Sequence, residues 1–258
     1  DTEGRLIGIN TAIYSRSGGN QGIGFAVPSN MVHNVVDSLL KYGKVARGFL
    51  GTEIHALNPD LAQQFGAPDD QQGALITDMD PNGPATKAGL QDGDIITGLN
   101  GKPIDDPHEL RLAVGGMTPG TKVTLTFLRN GHTQTAEATL GEQAADGGLS
   151  EATPTPPAGK ENVLDGITVG DLDDSARAEL KAPATIKGVV VTDVSEGSVG
   201  FQAGLRKGDI ILDMNHKPLT SADQAIDDGN NIAKNERVLL HVWSQGRADY
   251  LVLKPKEG

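Results

Sequence analysis

Residues 88–104 read AGLQDGDIITGLNGKPI, and residues 203–219 read AGLRKGDIILDMNHKPL. Ten of the seventeen positions agree at an offset of 115 residues. That offset is too long for a solenoid, whose repeats run to about 50 residues, so the chain carries two copies of one domain. In each copy Ala-Gly closes a short helix, with Gly89 or Gly204 as the left-handed C-terminal residue. A strand follows (Asp94-Ile95-Ile96; Asp209-Ile210-Ile211), then a turn at Asn100-Gly101 or Asn215-His216. Asn-Gly suits a tight primed turn, which needs positive φ twice.

Outward from this motif each copy reads alike. A short strand opens it (Phe49 to Ile54; Ile167 to Leu172). A buried strand comes next (Gly73 to Thr77; Gly188 to Thr192). After the turn, Asp106, Pro107 and Glu109 stand as N-cap, N1 and N3 of a second helix. Leu110 and Val114 lie one turn apart on its inner face, and Gly115-Gly116 stop it. Alternating strands close the copy (Val123-Leu125-Phe127; Val238-Leu240-Val242). Between the copies, Pro154, Pro156 and Pro157 exclude helix and central strand. The expected division is residues 1–43, a first repeat 44–143, a Pro-rich linker 144–162 and a second repeat 163–258.

Composition bounds the function. The 258 residues carry a net charge of −12, against the basic stripe of a nucleic-acid module. No run of 18 apolar residues could cross a membrane as a helix. Asp1-Thr2-Glu3-Gly4 has neither the basic nor the apolar region of a signal peptide. With no cysteine there are no disulfides, thiolate metal sites or cysteine nucleophiles. No metal is expected either. Asp171-Leu172-Asp173-Asp174-Ser175 opens like a calcium loop, but Ala176 replaces the required glycine and Ala182 the closing glutamate. Asp92-Gly93-Asp94 reads as a turn into a strand, and no phosphate loop occurs. No cofactor is implied.

The candidate site lies ahead of the first strand, at Arg47-Gly48-Phe49-Leu50-Gly51-Thr52. Gly51 lets successive backbone N–H groups converge on one anion, here a carboxylate, and the strand at Thr52–Ile54 is free to pair with an added peptide. Arg47 would supply a nearby positive charge. Phe49, Leu50, Gly51 and Thr52 would hold the terminal carboxylate, and Leu50, Ile54, Leu110 and Val114 the last side chain. In the second copy the matching loop is Gly166-Ile167-Thr168-Val169, with Thr168 set where the first copy has Gly51. A β-branched residue there, beside Asp165, predicts weaker carboxylate capture. The competing register gives the role of Gly51 to Gly166.

With the A-G-L-x-x-G-D-I-I run and its N-G-K-P turn, each copy resembles a PDZ domain of the bacterial protease type. The resemblance extends to residues 4–30, GRLIGINTAIYSRSGGNQGIGFAVPSN, which look like the end of the trypsin-like domain of HtrA/Deg serine endoproteases, of the two-PDZ (DegP/DegQ) type. It implies a mainly β fold with short helices: C-terminal strands and helix of a trypsin-like barrel, then two PDZ domains. It implies a periplasmic protease-chaperone that degrades unfolded proteins, and a trimer-based homo-oligomer for the complete protein. Its PDZ domains would bind substrate C-termini or extended segments.

The resemblance puts the serine nucleophile just upstream of Gly4 and its histidine and aspartate further upstream, so none of the residues present is expected to be catalytic. Ser17-Gly18-Gly19 imitates a nucleophile turn, but it follows the Ile7-Gly8-Ile9-Asn10-Thr11 strand, and Ser15-Arg16 does not match the lead-in. Ser15 to Gly22, including Ser15, Arg16, Ser17, Gly18 and Gly19, corresponds to a regulatory loop, and Ile9-Asn10-Thr11 to the strand that pairs with substrate. Gly24 to Val27 would be the last barrel strand. Ser29 would cap a helix over Asn30–Tyr42, whose apolar face is Met31, Val35 and Leu39. The histidines (His33, His55, His108, His132, His216, His241) read as surface or structural residues. The alternative reading is a non-catalytic PDZ adaptor or chaperone.

Overall fold

A computed structural model describes residues 1–14, 22–142, 160–164, 166–232 and 236–254. The N-terminal segment pairs β1 (Gly8–Ile13) with β2 (Gly24–Pro28) as an antiparallel ribbon that leads into α1 (Ser29–Tyr42). Ser29 is the first helical residue and not the cap. Pro28 holds the N-cap position and makes no side-chain cap, because proline has no side-chain acceptor. Met31, Val35 and Leu39 form the expected helical stripe and remain exposed. The segment assigned to a regulatory loop (Ser15, Arg16, Ser17, Gly18, Gly19) lies outside the described residues.

The first repeat contains β3 (Gly48–Phe49), β4 (Thr52–Ala56), α2 (Pro59–Gln64), β5 (Ala74–Met79), α3 (Pro84–Lys87), β6 (Ile95–Leu99), β7 (Lys102–Pro103), α4 (Pro107–Gly115), β8 (Lys122–Arg129), β9 (His132–Thr139) and β10 (Gly141–Glu142). Its sheet runs β4-β5-β6-β8-β9, which leaves β4 at one end, and β7 adds to β6. The opening strand expected from Phe49 to Ile54 is two pieces. β3 pairs with β10, β4 pairs with β5, and Gly51 at φ +75° breaks the chain between them.

The second repeat contains β11 (Lys160–Leu164), β12 (Ile167–Asp171), α5 (Asp174–Glu179), β13 (Val189–Val194), α6 (Val199–Ala203), β14 (Ile210–Met214), β15 (Lys217–Pro218), α7 (Ala222–Asn230), β16 (Val238–Ser244) and β17 (Arg247–Leu253). Its sheet runs β11-β12-β13-β14-β16-β17, with β15 on β14. β11 starts at Lys160, inside the stretch read as linker.

The local signals fold as their chemistry requires. Asn100 and Gly101 both have positive φ, as do Asn215 and His216. Asp106 accepts from Glu109 N at 2.8 Å, and the Glu109 side chain reaches back to Asp105 N at 3.0 Å. The aspartate of each Gly-Asp-Ile-Ile is buried and ties its own turn: Asp94 accepts from Gln91 N and Asp209 from Arg206 N, both at 2.8 Å. Asp94 also takes a bidentate contact from Arg129 at 2.6 and 2.7 Å. The residue 115 positions on from Arg129 is Ser244, so Asp209 meets a hydroxyl instead.

Each domain has a core under its α4-type helix. The first is built from Ile54, Ile76, Ile96, Leu110 and Val114, the second from Val169, Val191, Ile211, Ala225 and Leu240. A third cluster joins them. Leu61, Phe65, Leu75 and Ile95 on the opposite face of the first sheet pack with Leu239 and Tyr250 of the second domain. The two domains are therefore docked, with an apolar centre and a polar rim. Arg237 and Lys254 reach Asp60 on the rim, and His55 faces Asp249 at 3.2 Å.

Candidate peptide-binding site

The site begins with a close approach. Gly48 N donates to Met117 O at 2.9 Å, and a Cβ on Gly48 would stand 2.5 Å from Val114 O. Only glycine lets the loop lie this close to the end of α4. The loop carbonyls then turn inward: Leu50 O accepts from Ala85 N and Gly51 O from Asp80 N, each at 2.9 Å. In a trans peptide the N–H points opposite to the C=O. The N–H groups of Gly51 and Thr52 therefore point away from α3, into the groove. Gly51 has both the positive φ and the crowding that favour glycine, with Gly83 Cα 3.1 Å from where its Cβ would sit.

Leu50, Ile54, Leu110 and Val114, the side chains predicted for an apolar pocket, surround one cavity of about 340 Å³ together with Phe49, Gly51 and Thr52. Arg47 is exposed and does not line it. A residue that the sequence reading missed crosses the groove. Arg111 on α4 donates from Nη2 to Ile54 O at 2.8 Å. That carbonyl is on the outer edge of β4, where an added strand would need it. The signal was present in the spacing, since Arg111 follows the inward-facing Leu110 on a helix that overhangs β4.

The second copy corrects the predicted register. Gly166, with φ +88°, is the counterpart of Gly51. Ser195 N donates to Gly166 O at 2.7 Å, as Asp80 N does to Gly51 O. Ile167, Thr168 and Val169 are not loop but the start of β12, and they pair with β13 in the register that Thr52, Glu53 and Ile54 keep with β5. Thr168 is thus the match of Glu53, in extended backbone where a β-branched residue is favoured. Asp165 lies outside the described residues. The second groove also differs in occupancy. β11 runs antiparallel along the outer edge of β12, with Leu164 opposite Ile167, and packs against α7. The chain's own backbone holds the edge that is open in the first copy.

No group of three or more histidine, aspartate or glutamate side chains among the described residues could hold a metal ion. No described helix is long and apolar enough to cross a membrane.

PDZ-domain profiles match residues 48–140 and 190–242. The chain is 38% identical over 257 residues to a probable periplasmic serine endoprotease, DegP-like, of Pseudomonas fulva (strain 12-X), covering 99% of this chain and 52% of that protein. It carries two PDZ domains and is similar to DegP-like serine endoproteases. A DegP-like family member from Rhizobium meliloti (strain 1021) is 34% identical over 264 residues, covering 99% of this chain and 50% of its own length. The solved HtrA-type protease AlgW with a tripeptide aligns at a TM-score of 0.50 and 38% identity, over 57% of this chain and 49% of that one. The chain spans about half the length of the curated relatives it matches.

Proposed function

We propose that this chain serves an HtrA/Deg-type periplasmic serine endoprotease as its peptide-recruiting part, with the first PDZ domain capturing the C-termini of unfolded proteins. The observation that carries the reading is the inward turn of the Leu50 and Gly51 carbonyls. It turns the N–H groups of Gly51 and Thr52 away from α3, and both residues line an apolar cavity. A terminal carboxylate would sit on those N–H groups, and the last side chain would enter the space between Leu50, Ile54, Leu110 and Val114. The peptide would then run antiparallel to β4, whose outer edge faces the groove. Relatives named as periplasmic proteases support the compartment. A trimer-based assembly and cleavage of unfolded protein belong to the complete protein. Division into residues 1–43, 44–143, 144–162 and 163–258 fits this reading once the second PDZ is extended to include β11.

A titration of the chain with one peptide in acid and amide forms tests it. A hydrogen bond to a charged group contributes about 1.5–3 kcal/mol, so the amide should bind at least about tenfold more weakly. Equal affinity would reject carboxylate capture and leave internal-strand pairing.

A further inference from the structure

Beside the peptide groove lies a larger cleft of about 660 Å³, walled by both PDZ domains. Glu53 and Arg111 line the cleft and the groove alike, so the two spaces adjoin. From the first domain the cleft adds His55 and Thr77, and from the second it takes Lys181, Lys207 and Arg247.

We propose that the second PDZ domain forms one wall of the first domain's peptide site, and that the cleft takes the segment upstream of a bound C-terminus. The inference rests on the carboxylate-loop reading and extends it. A strand added antiparallel to β4 places its last residue beside Thr52 and its third-from-last beside Ile54. Successive side chains point to opposite faces. Those of the last and third-from-last residues turn toward α4 and the apolar cavity. The penultimate and fourth-from-last turn to the other face of the sheet. In an isolated domain that face would open to water. Here it carries the docked second domain, held there by Leu75, Ile95, Leu239 and Tyr250 and by the His55–Asp249 contact. Further upstream residues continue past His55 along the cleft floor.

The cleft offers polar groups of both signs. Lys181, Lys207 and Arg247 make no ion pair among the described residues, and neither do Glu53 and Glu179. It therefore selects for extended length more than for charge. A four-residue peptide spans at most about 14 Å and ends near His55, whereas a ten-residue peptide runs on between the domains.

The test compares a labelled tetrapeptide ending in a free-carboxylate valine with a decapeptide sharing its last four residues, each titrated into the whole chain. The decapeptide should bind about tenfold more tightly. Lys207→Trp and Arg247→Trp, at exposed positions of the second domain, should each remove most of that gain and leave tetrapeptide affinity unchanged. An unchanged thermal melt followed by circular dichroism shows that the second domain of each variant folds. Equal affinity for the two lengths in the unmodified chain would overturn the proposal, as would a gain that survives both substitutions. If neither peptide binds, the carboxylate-loop reading fails and this proposal with it.

Discussion

His241 Nε2 lies 2.9 Å from the carbonyl oxygen of Thr77, a contact from the second PDZ domain to the first. Its Nδ1 lies 3.1 Å from Asp213 Oδ2 within the second domain. Both partners are acceptors, so both ring nitrogens must carry hydrogen, and the geometry calls for the imidazolium form. The ring stacks on Tyr250 at 4.3 Å, inside the apolar cluster that joins the domains. The charged groups facing it are Asp213 and, further off, Asp92 and Asp249. Asp249 is engaged by His55. Asp92 is exposed over the residue as a whole, but desolvation raises its carboxyl to about 6, so it is charged and pulls on the ring above that pH.

Docking should therefore weaken as the pH rises. Burial lowers the His241 pKa, but the hydrogen bonds to Asp213 and the Thr77 carbonyl outweigh it, and the net shift is upward from the ordinary value of 6.5. Asp213 is in the same domain as His241 and stays beside it on undocking, so the part of this linkage that belongs to docking is the bond to the Thr77 carbonyl. A charged ring donates to both acceptors at once, and that second bond is lost as pH climbs through the raised value. Small-angle scattering or an interdomain fluorescence pair should report compact domains at pH 6 and separation growing on the alkaline side. His241→Gln should flatten that dependence. A distance that is constant between pH 6 and 9 in the unmodified chain would rule out the imidazolium as the lock.

The two Gly-Asp-Ile-Ile aspartates should respond differently to the same substitution. Asp94 is buried and paired bidentately with Arg129. Removing one member of a buried pair costs about 3 kcal/mol, so Asp94→Asn should lower the stability of the first domain by about that much. Burial raises the Asp209 pKa; against it stand the Ser244 hydroxyl, Arg206 N and the nearby Arg206 charge, with no ion pair to Asp209 among the described residues. Asp209→Asn should cost less than about 1.5 kcal/mol, the size of one ordinary hydrogen bond. Denaturant titrations of the two variants would decide it. Equal losses would mean that the Arg129 pair contributes nothing beyond the turn cap.

What was legible in the sequence was local. The Gly-Asp-Ile-Ile repeat, the Asn100-Gly101 turn and the Asp106-Pro107-Glu109 helix start each depend on residues a few positions apart. The pocket side chains were also within reach, because Leu110 and Val114 share a helix face. The docking of the domains was not. It depends on His241 meeting Thr77, 164 residues away, and on Leu75 and Ile95, whose alternation marks a second buried face without saying what covers it. The second loop was misplaced for a different reason. The repeat offset of 115 carries Gly51 to Gly166, and the register that puts Thr168 there departs from that offset by two residues.

Arg111 should act as a competitor for the incoming peptide. Its hydrogen bond to Ile54 O, at 2.8 Å, uses the acceptor that the third-from-last N–H of an added strand requires. Binding must break that contact first. Arg111→Met keeps the aliphatic stem over the groove and removes the donor. It should raise affinity for apolar C-terminal peptides about threefold to tenfold, the range for losing one competing hydrogen bond. Weaker binding by the methionine variant would mean that the guanidinium contacts the ligand and does not obstruct it.

The second PDZ should capture C-terminal peptides poorly, and the cause should be β11 and not Thr168. Gly166 supplies the same positive φ as Gly51, and Thr168 is ordinary strand. A positive-φ glycine with an inward-bonded carbonyl is therefore present in both copies. The difference is that Lys160–Leu164 already pairs with Ile167–Val169, against α7. A peptide must displace an intramolecular strand that is present at high effective concentration. Asn162→Pro would take an N–H out of that strand and weaken its pairing. Isothermal titration should then reveal a second binding event per chain. Thr168→Gly, which leaves β11 in place, should reveal none. A second event with Thr168→Gly but not with Asn162→Pro would restore the loop as the determinant and leave β11 a bystander.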